Sequence, residues 1–454
     1  MGYIIENSKK LGIEYDFIDN RLGYKFPHVI KKIKGFDPDL IAVGMKTGRY
    51  LDQYEMLKEL NKNISKADIL CGGDHISVFQ KRALSDCPSI DYGIPFEGEF
   101  VFNQLIEGKE LRDIKGLLYR ESGSVKFNGL QEIIQNLDEL EFPKFEKAEL
   151  SRYSMKEIGI TSSRGCPFSC IFCIESTKGK MKKYRTRNPV NFVNEVEYWV
   201  NKNYRRFDFS EPCFNYSKQR IIEICDEIEK RDLPPLNFDA NSGARADSMD
   251  EEVIERLKKI GLKYLIYGVE GGNDKILKII KKGENLEKVE KAIRLSLKHG
   301  MEVVLTFIVG TPGETGKDVE DSMNFAKQFP LNSVTFNNLI PVPGSRVYQY
   351  IEKEGLFLIP PDVYLNRSWR KNHNTPLFET PEMSADERKV LLRKTKSVKR
   401  DVIRKKLRRK MITRFGNFQG SFLSTIFANR FLIYILSYFS DTNPERFYLK
   451  FSKI

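Results

Sequence analysis

Arg164-Gly165-Cys166-Pro167-Phe168-Ser169-Cys170-Ile171-Phe172-Cys173 decides how this chain is read, because it sets three cysteines at a Cys-x3-Cys-x2-Cys spacing on one short stretch. Gly165 and Pro167 mark the stretch as a loop rather than a core strand. Three thiolates so placed can each bind one iron of a cubic four-iron cluster, leaving the fourth iron without a protein ligand and open to a substrate. A structural zinc needs a fourth ligand, and Cys213 and Cys225, the next cysteines downstream, lack the paired arrangement of zinc ribbons. Three packed, unliganded cysteines would have no reason to fall at this spacing.

Downstream, the sequence alternates strand and helix. After a first strand near Gly159 to Ser162, apolar runs at Phe207 to Phe209, Asn237 to Ala240, Tyr264 to Val269, Val303 to Val309 and Val334 to Leu339 each follow an amphipathic segment. Val193, Val196 and Val200, and likewise Ile221, Ile222, Cys225 and Ile228, keep a helical period. Six such units are too few to close an eight-fold barrel. The fold class is therefore α/β, with an open, partial (β/α)6 barrel whose site lies at the carboxyl ends of its strands.

Upstream, strand-like runs at Glu14 to Ile18, Leu40 to Val43 and Ala67 to Leu70, separated by helix-like stretches, predict a small doubly wound parallel sheet. Residues Ile114 to Gly129 read as a hairpin around Glu121-Ser122-Gly123-Ser124. The expected organisation is a sheet domain with hairpin over 1–136, a linker over 137–151, the barrel over 152–360 and a basic helical region over 361–454. The chain starts at what reads as the first helix of the sheet domain, Gly2 to Lys10, so that the first strand is expected to be missing.

The composition narrows the class further. The net charge of +13 equals the excess between Arg388 and Arg414, where fourteen Lys and Arg face the single acid Asp401. That points to an anionic partner at one place or to a solvated helix face. Leu391, Val398, Val402, Leu407 and Met411 form an apolar stripe on the same predicted helix, Ala385 to Phe415. An aromatic run from Phe422 to Phe439 follows, with Asn429 and Arg430 at its centre, too polar for a membrane span. The pair over 388–440 suits either peripheral contact with anionic lipid or packing on the barrel. Between Pro360 and this helix, Trp369, His373 and Phe378 read as parts of a polar loop. Seven cysteines, three of them in one loop, argue against a disulfide framework and for a reducing cytoplasm. No signal peptide is apparent.

The cysteine loop, with the aromatic Phe172 before its last cysteine, resembles the radical S-adenosylmethionine (SAM) superfamily. The resemblance implies a [4Fe-4S] cluster on Cys166, Cys170 and Cys173, SAM chelated to the open iron, and an electron from the cluster that cleaves SAM to a 5′-deoxyadenosyl radical. It further implies strand-end cofactor residues: Glu211 for the methionine amino group, Asn241, Ser242 and Arg245 for ribose and carboxylate, Glu270 in a Gly-Val-Glu motif, and Gly310 beside the adenine. Cys213, in the loop after the second barrel strand, is a candidate to return a hydrogen atom to a substrate radical. The segment before the barrel resembles the cobalamin-binding domain of one large subgroup, with Gly72, Gly73 and His75 as candidate contacts, although no Asp-x-His-x-x-Gly motif occurs. Hydrogen abstraction from an unactivated carbon is then expected, with methyl transfer if cobalamin is bound. The expected partners are a small-molecule or lipid substrate and an external reductant such as flavodoxin or ferredoxin. Two rivals remain open at this point. One is a radical tRNA-modifying enzyme, against which stands the lack of an aromatic–basic strand ladder after residue 350. The other is an electron-transfer or sensor protein using the cluster alone, which would have no need for Glu211, Arg245 and Glu270.

Overall fold

The computed structural model describes residues 1–427. The chain divides into two compact units. The first comprises Met1–Glu157, Lys178–Tyr204 and Ile359–Trp369; the second comprises Ile158–Thr177, Arg205–Leu358 and the described residues from Arg370 on.

The first unit is built on a five-stranded sheet, β1 (Leu40–Gly44), β2 (Asp68–Gly72), β3 (Tyr92–Ile94), β4 (Leu118–Glu121) and β5 (Ser124–Phe127), in sequential order. β1, β2 and β3 pair in parallel, Leu40 opposite Asp68 and Leu70 opposite Tyr92, while β4 and β5 form the expected hairpin and join β3 antiparallel. Apolar residues cover both faces: Leu57, Ile69, Cys71, Ile76 and Leu84 lie in one buried cluster, Leu70, Ile94, Val101 and Ile114 in the other. This is the pattern of a strand such as β2 that is buried on both sides.

Glu14 to Ile18 is not a strand. These residues run as irregular chain and β1, the edge of the sheet, pairs only with β2. A strand persists only where a neighbour completes its ladder of hydrogen bonds; here the segment is held instead by side contacts, Lys9 over the Tyr15 ring and Lys32 to the Phe17 carbonyl.

Leu137 and Leu140 of the expected linker are buried with Ile134 against Tyr3, so the linker is a packed part of the first unit. The helix Pro189–Asn201, capped by the Asn188 side chain, also clusters with this unit, although the strand–helix alternation had given it to the barrel. It turns Val193, Val196 and Trp199 inward, and Arg187 pairs with Glu195 beneath it.

The second unit is a six-stranded sheet in chain order, β6 (Glu157–Ile160), β7 (Arg206–Phe209), β8 (Asn237–Ala244), β9 (Leu262–Glu270), β10 (Glu302–Val309) and β11 (Ser333–Asn338). β7 to β11 pair in parallel. The apolar runs predicted strands at all six places. Helices with side-chain caps, such as Glu251–Lys259 behind Asp250 and Leu286–Lys298 behind Asn285, connect them.

The basic helix extends over Ala385–Phe427. Leu391, Leu392, Thr395, Val398 and Val402 are buried as it packs on β11 and on the helix Gly316–Lys327, while Lys389, Arg393, Lys396, Arg400, Arg404 and Arg408 point outward. The stretch before it is not a wholly polar loop: Leu377 and Phe378 are fully buried. The aromatic run beyond Phe427, including Asn429 and Arg430, lies outside the described residues. No helix among the described residues is long and apolar enough to cross a membrane.

Candidate active site

The cysteine loop leaves β6 and is clamped from three directions. Ile171 donates its N–H to the Ile280 carbonyl at 3.0 Å and accepts from Val347 N at 3.1 Å. Ile171 and Phe172 pack on the buried cluster Ile276, Leu277 and Ile280. The Arg245 guanidinium lies over the Phe168 ring. All three cysteines are free and half-buried, which leaves their sulfurs accessible to a metal. Burial raises the Cys170 thiol, and raises Cys173 to about 11. Cys166 moves the other way, its thiol lowered chiefly by the neighbouring Cys213. These are soft ligands held at one edge of a rigid sheet, a donor set that fits an iron–sulfur cluster.

Cys213 is thus buried against Cys166. It is less open than expected of a thiol that would return a hydrogen atom to a substrate radical.

Glu211 is buried and spent locally. Its carboxylate accepts from Ser162 N at 2.9 Å, from Ser162 Oγ at 2.5 Å, from Ser163 Oγ at 2.7 Å and from Ser163 N. Arg220 adds a bond to the Ser162 carbonyl at 2.6 Å. In this geometry Glu211 ties the end of β6 to the β7 loop, rather than presenting an open carboxylate to an amino group.

Arg245 shows the same departure. Nε and Nη2 engage Asp247 at 3.0 and 2.7 Å, and Nη1 reaches the Lys282 carbonyl at 2.8 Å. With its planar fork filled and its face stacked on Phe168, it is a brace and not a free receptor for a carboxylate. Asn241 and Ser242 lie within β8 rather than after it, in a bulge where the register against β9 slips between Ala240 and Ala244. Asn241 donates its N–H to Asp208 and Ser242 is exposed.

Gly310 is covered. Its N–H goes to Glu314 at 2.6 Å, and a Cβ built on it would stand 2.5 Å from the Arg388 guanidinium carbon. Arg388 is fully buried, sandwiched between this glycine and the Phe378 ring. Only glycine, here at φ +98°, allows that approach. The loop therefore packs on protein at the position expected to touch adenine.

Glu270 does face the site. It has φ +69°, rare for a residue with a side chain, at a bulge between Gly268 and Glu270 in the β9–β10 register. The side chain folds back over Gly268, where a Cβ would meet Oε1 at 2.5 Å and Lys282 Nζ at 3.4 Å. Burial raises the Glu270 carboxyl and Lys282 opposes the rise. For Lys282, burial disfavours the charge, but Glu270, Glu284 and Cys170 outweigh it and lift the pKa.

Sequence reasoning missed the segment that organises these groups, Ile280-Lys281-Lys282-Gly283-Glu284. Its carbonyls hold Ile171 and Arg245, and Glu284 Oε1 accepts from Ala246 N at 2.7 Å and Asp247 N at 3.2 Å. A Lys-Lys-Gly-Glu run after an amphipathic helix reads as an ordinary polar connection. The one available signal was its position, following a Gly-Val-Glu strand end.

In the first unit, His75 is not at an open edge. It lies in the short helix Asp74–Phe79, 1% exposed, stacked on Tyr50 and tilted against Phe79, with Nε2 2.6 Å from Tyr54 OH. Burial lowers its pKa to about 4. Core packing thus removes it as a cobalt ligand. Gly72 and Gly73 stand at the carboxyl end of β2. Gly73 is exposed at φ +92°, with the Met45 carbonyl 2.6 Å from where a Cβ would sit.

Residues 160–326 match the family model of the Radical SAM superfamily. Together with the cysteine loop on a six-stranded sheet, this defines the class of that stretch: residues 160–326 form a radical SAM domain, and a second sheet unit precedes it in the sequence. It is 29% identical over 385 residues to a protein named as an uncharacterized methyltransferase of Pyrococcus horikoshii, covering 81% of this chain and 80% of that relative. In fold it is similar to the radical SAM methyltransferase TsrM from Kitasatospora setae, solved with cobalamin and a [4Fe-4S] cluster, with a TM-score of 0.71 over 87% of each chain at 17% identity. It is also similar to the cobalamin-dependent radical enzyme OxsB with aqua-cobalamin and SAM bound, with a TM-score of 0.71 over 98% of this chain and 72% of that one at 17% identity.

Proposed function

We propose that the protein is a cobalamin-dependent radical SAM methyltransferase acting on an unactivated carbon of a small molecule. The observation that carries this reading is the loop bearing Cys166, Cys170 and Cys173, held by Ile280, Val347 and Arg245, with Glu270 and the buried Lys282 nearby over Gly268. The three cysteines are the proposed ligands of a [4Fe-4S] cluster, which when bound supplies the electron that cleaves SAM. The chain's own residues fix the loop, exclude water beneath it and present Glu270 to whatever occupies the open iron. A protein using the cluster only as an electron carrier would gain nothing from holding Glu270 at positive φ.

Cobalamin is proposed at the carboxyl edge of the first sheet, where Gly72 and Gly73 leave backbone accessible, without a histidine ligand since His75 is in the core. The methyltransferase name of the Pyrococcus relative supports the outcome. The outward cations of the Ala385–Phe427 helix support peripheral contact with an anionic surface. Free cysteines throughout support a reducing compartment, with a flavodoxin- or ferredoxin-type donor.

Anaerobic reconstitution with iron, sulfide, SAM and reductant, with and without cobalamin, tests the reading. Mass spectrometry should find 5′-deoxyadenosine in both cases, and S-adenosylhomocysteine only when cobalamin is present. Cobalamin-independent S-adenosylhomocysteine, or no corrinoid retained after gel filtration, would remove the cobalamin part.

A further inference from the structure

Lys282 is a buried ammonium, 8% exposed, that the chemistry above leaves without a task. Its Nζ lies 3.6 Å from Glu284 Oε2 and shares the space over Gly268 with the Glu270 carboxylate. No hydrogen-bond acceptor among the described residues comes within bonding distance of it. Glu284 does not need this cation, since one of its oxygens already takes the N–H groups of Ala246 and Asp247. Stripping water from an ammonium is costly, and a buried ion pair returns that cost only with good geometry. Lys282 is also the main positive charge acting on Cys170, ahead of Arg245, whose guanidinium is spent on Asp247 and on backbone carbonyls. A cation kept dry beside a cysteine of the loop, facing two carboxylates, is arranged for negative charge that arrives later.

We infer that Lys282 is a positioning residue that stabilises the electron taken up by a cluster on Cys166, Cys170 and Cys173, and that its balance against Glu270 sets the reduction potential. This rests on the cluster assignment proposed above. The step is the transfer of one electron from an external low-potential donor, which is oxidised, to the cluster, which is reduced; no proton moves and no bond forms. The added charge is attracted to the ammonium and repelled by the carboxylate, and in a desolvated site both effects are large.

The test uses the full chain, reconstituted anaerobically, as wild type, Lys282→Met, Lys282→Arg and Glu270→Gln. Iron and sulfide are counted first, and each cluster is then titrated with dithionite at alkaline pH while the electron paramagnetic resonance signal of the reduced state is followed. Lys282→Met should shift the midpoint to more negative potential, Lys282→Arg should stay near wild type, and Glu270→Gln should shift it to more positive potential. An unchanged midpoint in Lys282→Met overturns the inference. If that variant takes up no cluster, Glu270→Gln decides alone: a positive shift supports the inference and no shift overturns it. Wild-type protein without four irons and four sulfides would fail at the counting step, which marks a failure of the cluster assignment rather than of the lysine's role.

Discussion

The guanidinium carbon of Arg245 lies 3.4 Å from the centre of the Phe168 ring. Arg245 directly follows β8 and Phe168 belongs to the cysteine loop, so this stack is a mechanical link between the end of a barrel strand and the proposed cluster ligands. Its loss should loosen the loop. Arg245→Lys keeps the charge but loses the planar fork and the stacking face. We expect it to lower stability by about 3 kcal/mol, as for a broken buried pair, and to lower retained iron after reconstitution. Urea unfolding together with iron analysis checks this, and full iron retention with wild-type stability would refute the brace.

Glu211→Gln replaces two acceptor oxygens by one oxygen and an amide, facing the four donors of Ser162 and Ser163. The clash of donors should cost about 2 kcal/mol. Because Glu211 works on the protein and not on the cofactor, the loss should appear as a lower thermal midpoint. A selective loss of SAM affinity at unchanged stability, seen by calorimetry, would restore the ligand role expected from the resemblance.

His75 gives the first unit a pH dependence of definite sign. Its folded pKa of about 4 lies below the ordinary histidine value of 6.5, because burial disfavours the charged ring. Between these values the unfolded state binds the proton and the folded state does not, so stability is complete above pH 6.5 and declines as the pH falls toward 4. The contribution is on the order of 2 kcal/mol. His75→Phe keeps a ring against Tyr50 and Phe79 and should flatten that part of the profile. A variant with the same acid slope as wild type would show that other groups produce it.

The two glycines of the first sheet separate fold from ligand. Gly73→Ala forces a Cβ to within 2.6 Å of the Met45 carbonyl at φ +92°. It should destabilise the unit by about 2 kcal/mol or more, whether or not corrinoid is present. At Gly72 a Cβ would meet only the Ile94 carbonyl at 3.5 Å, an ordinary contact. Gly72→Ala should leave the melting temperature of the apoprotein unchanged and weaken cobalamin binding, measured by absorbance after gel filtration. Undiminished cobalamin uptake would move the proposed corrinoid contact elsewhere.

What the sequence made legible follows from the range of the interactions involved. The six barrel strands and the cysteine loop are local patterns, apolar runs and a spacing, so residues such as Phe207 and Val303 declared themselves. The strand expected at Glu14 to Ile18 failed because pairing depends on a neighbour that no local pattern reports. Glu211, Arg245 and Gly310 were found at strand ends, as expected. Their side-chain partners, Ser162 and Ser163, Asp247 and Phe168, and Arg388, are distant or unremarkable in sequence. The same applies to Lys282, whose burial beside Gly268 depends on residues that no local pattern reports. Composition counted it as one more surface lysine.

The central claim is that Cys166, Cys170 and Cys173 together hold the cluster that cleaves SAM. The most direct measurement is 5′-deoxyadenosine formed anaerobically from SAM and dithionite by reconstituted wild-type protein and by the triple variant Cys166→Ala/Cys170→Ala/Cys173→Ala. The account predicts 5′-deoxyadenosine from the wild type and none from the triple variant. Equal production by both, or none from a wild-type sample shown to carry four irons, would contradict it.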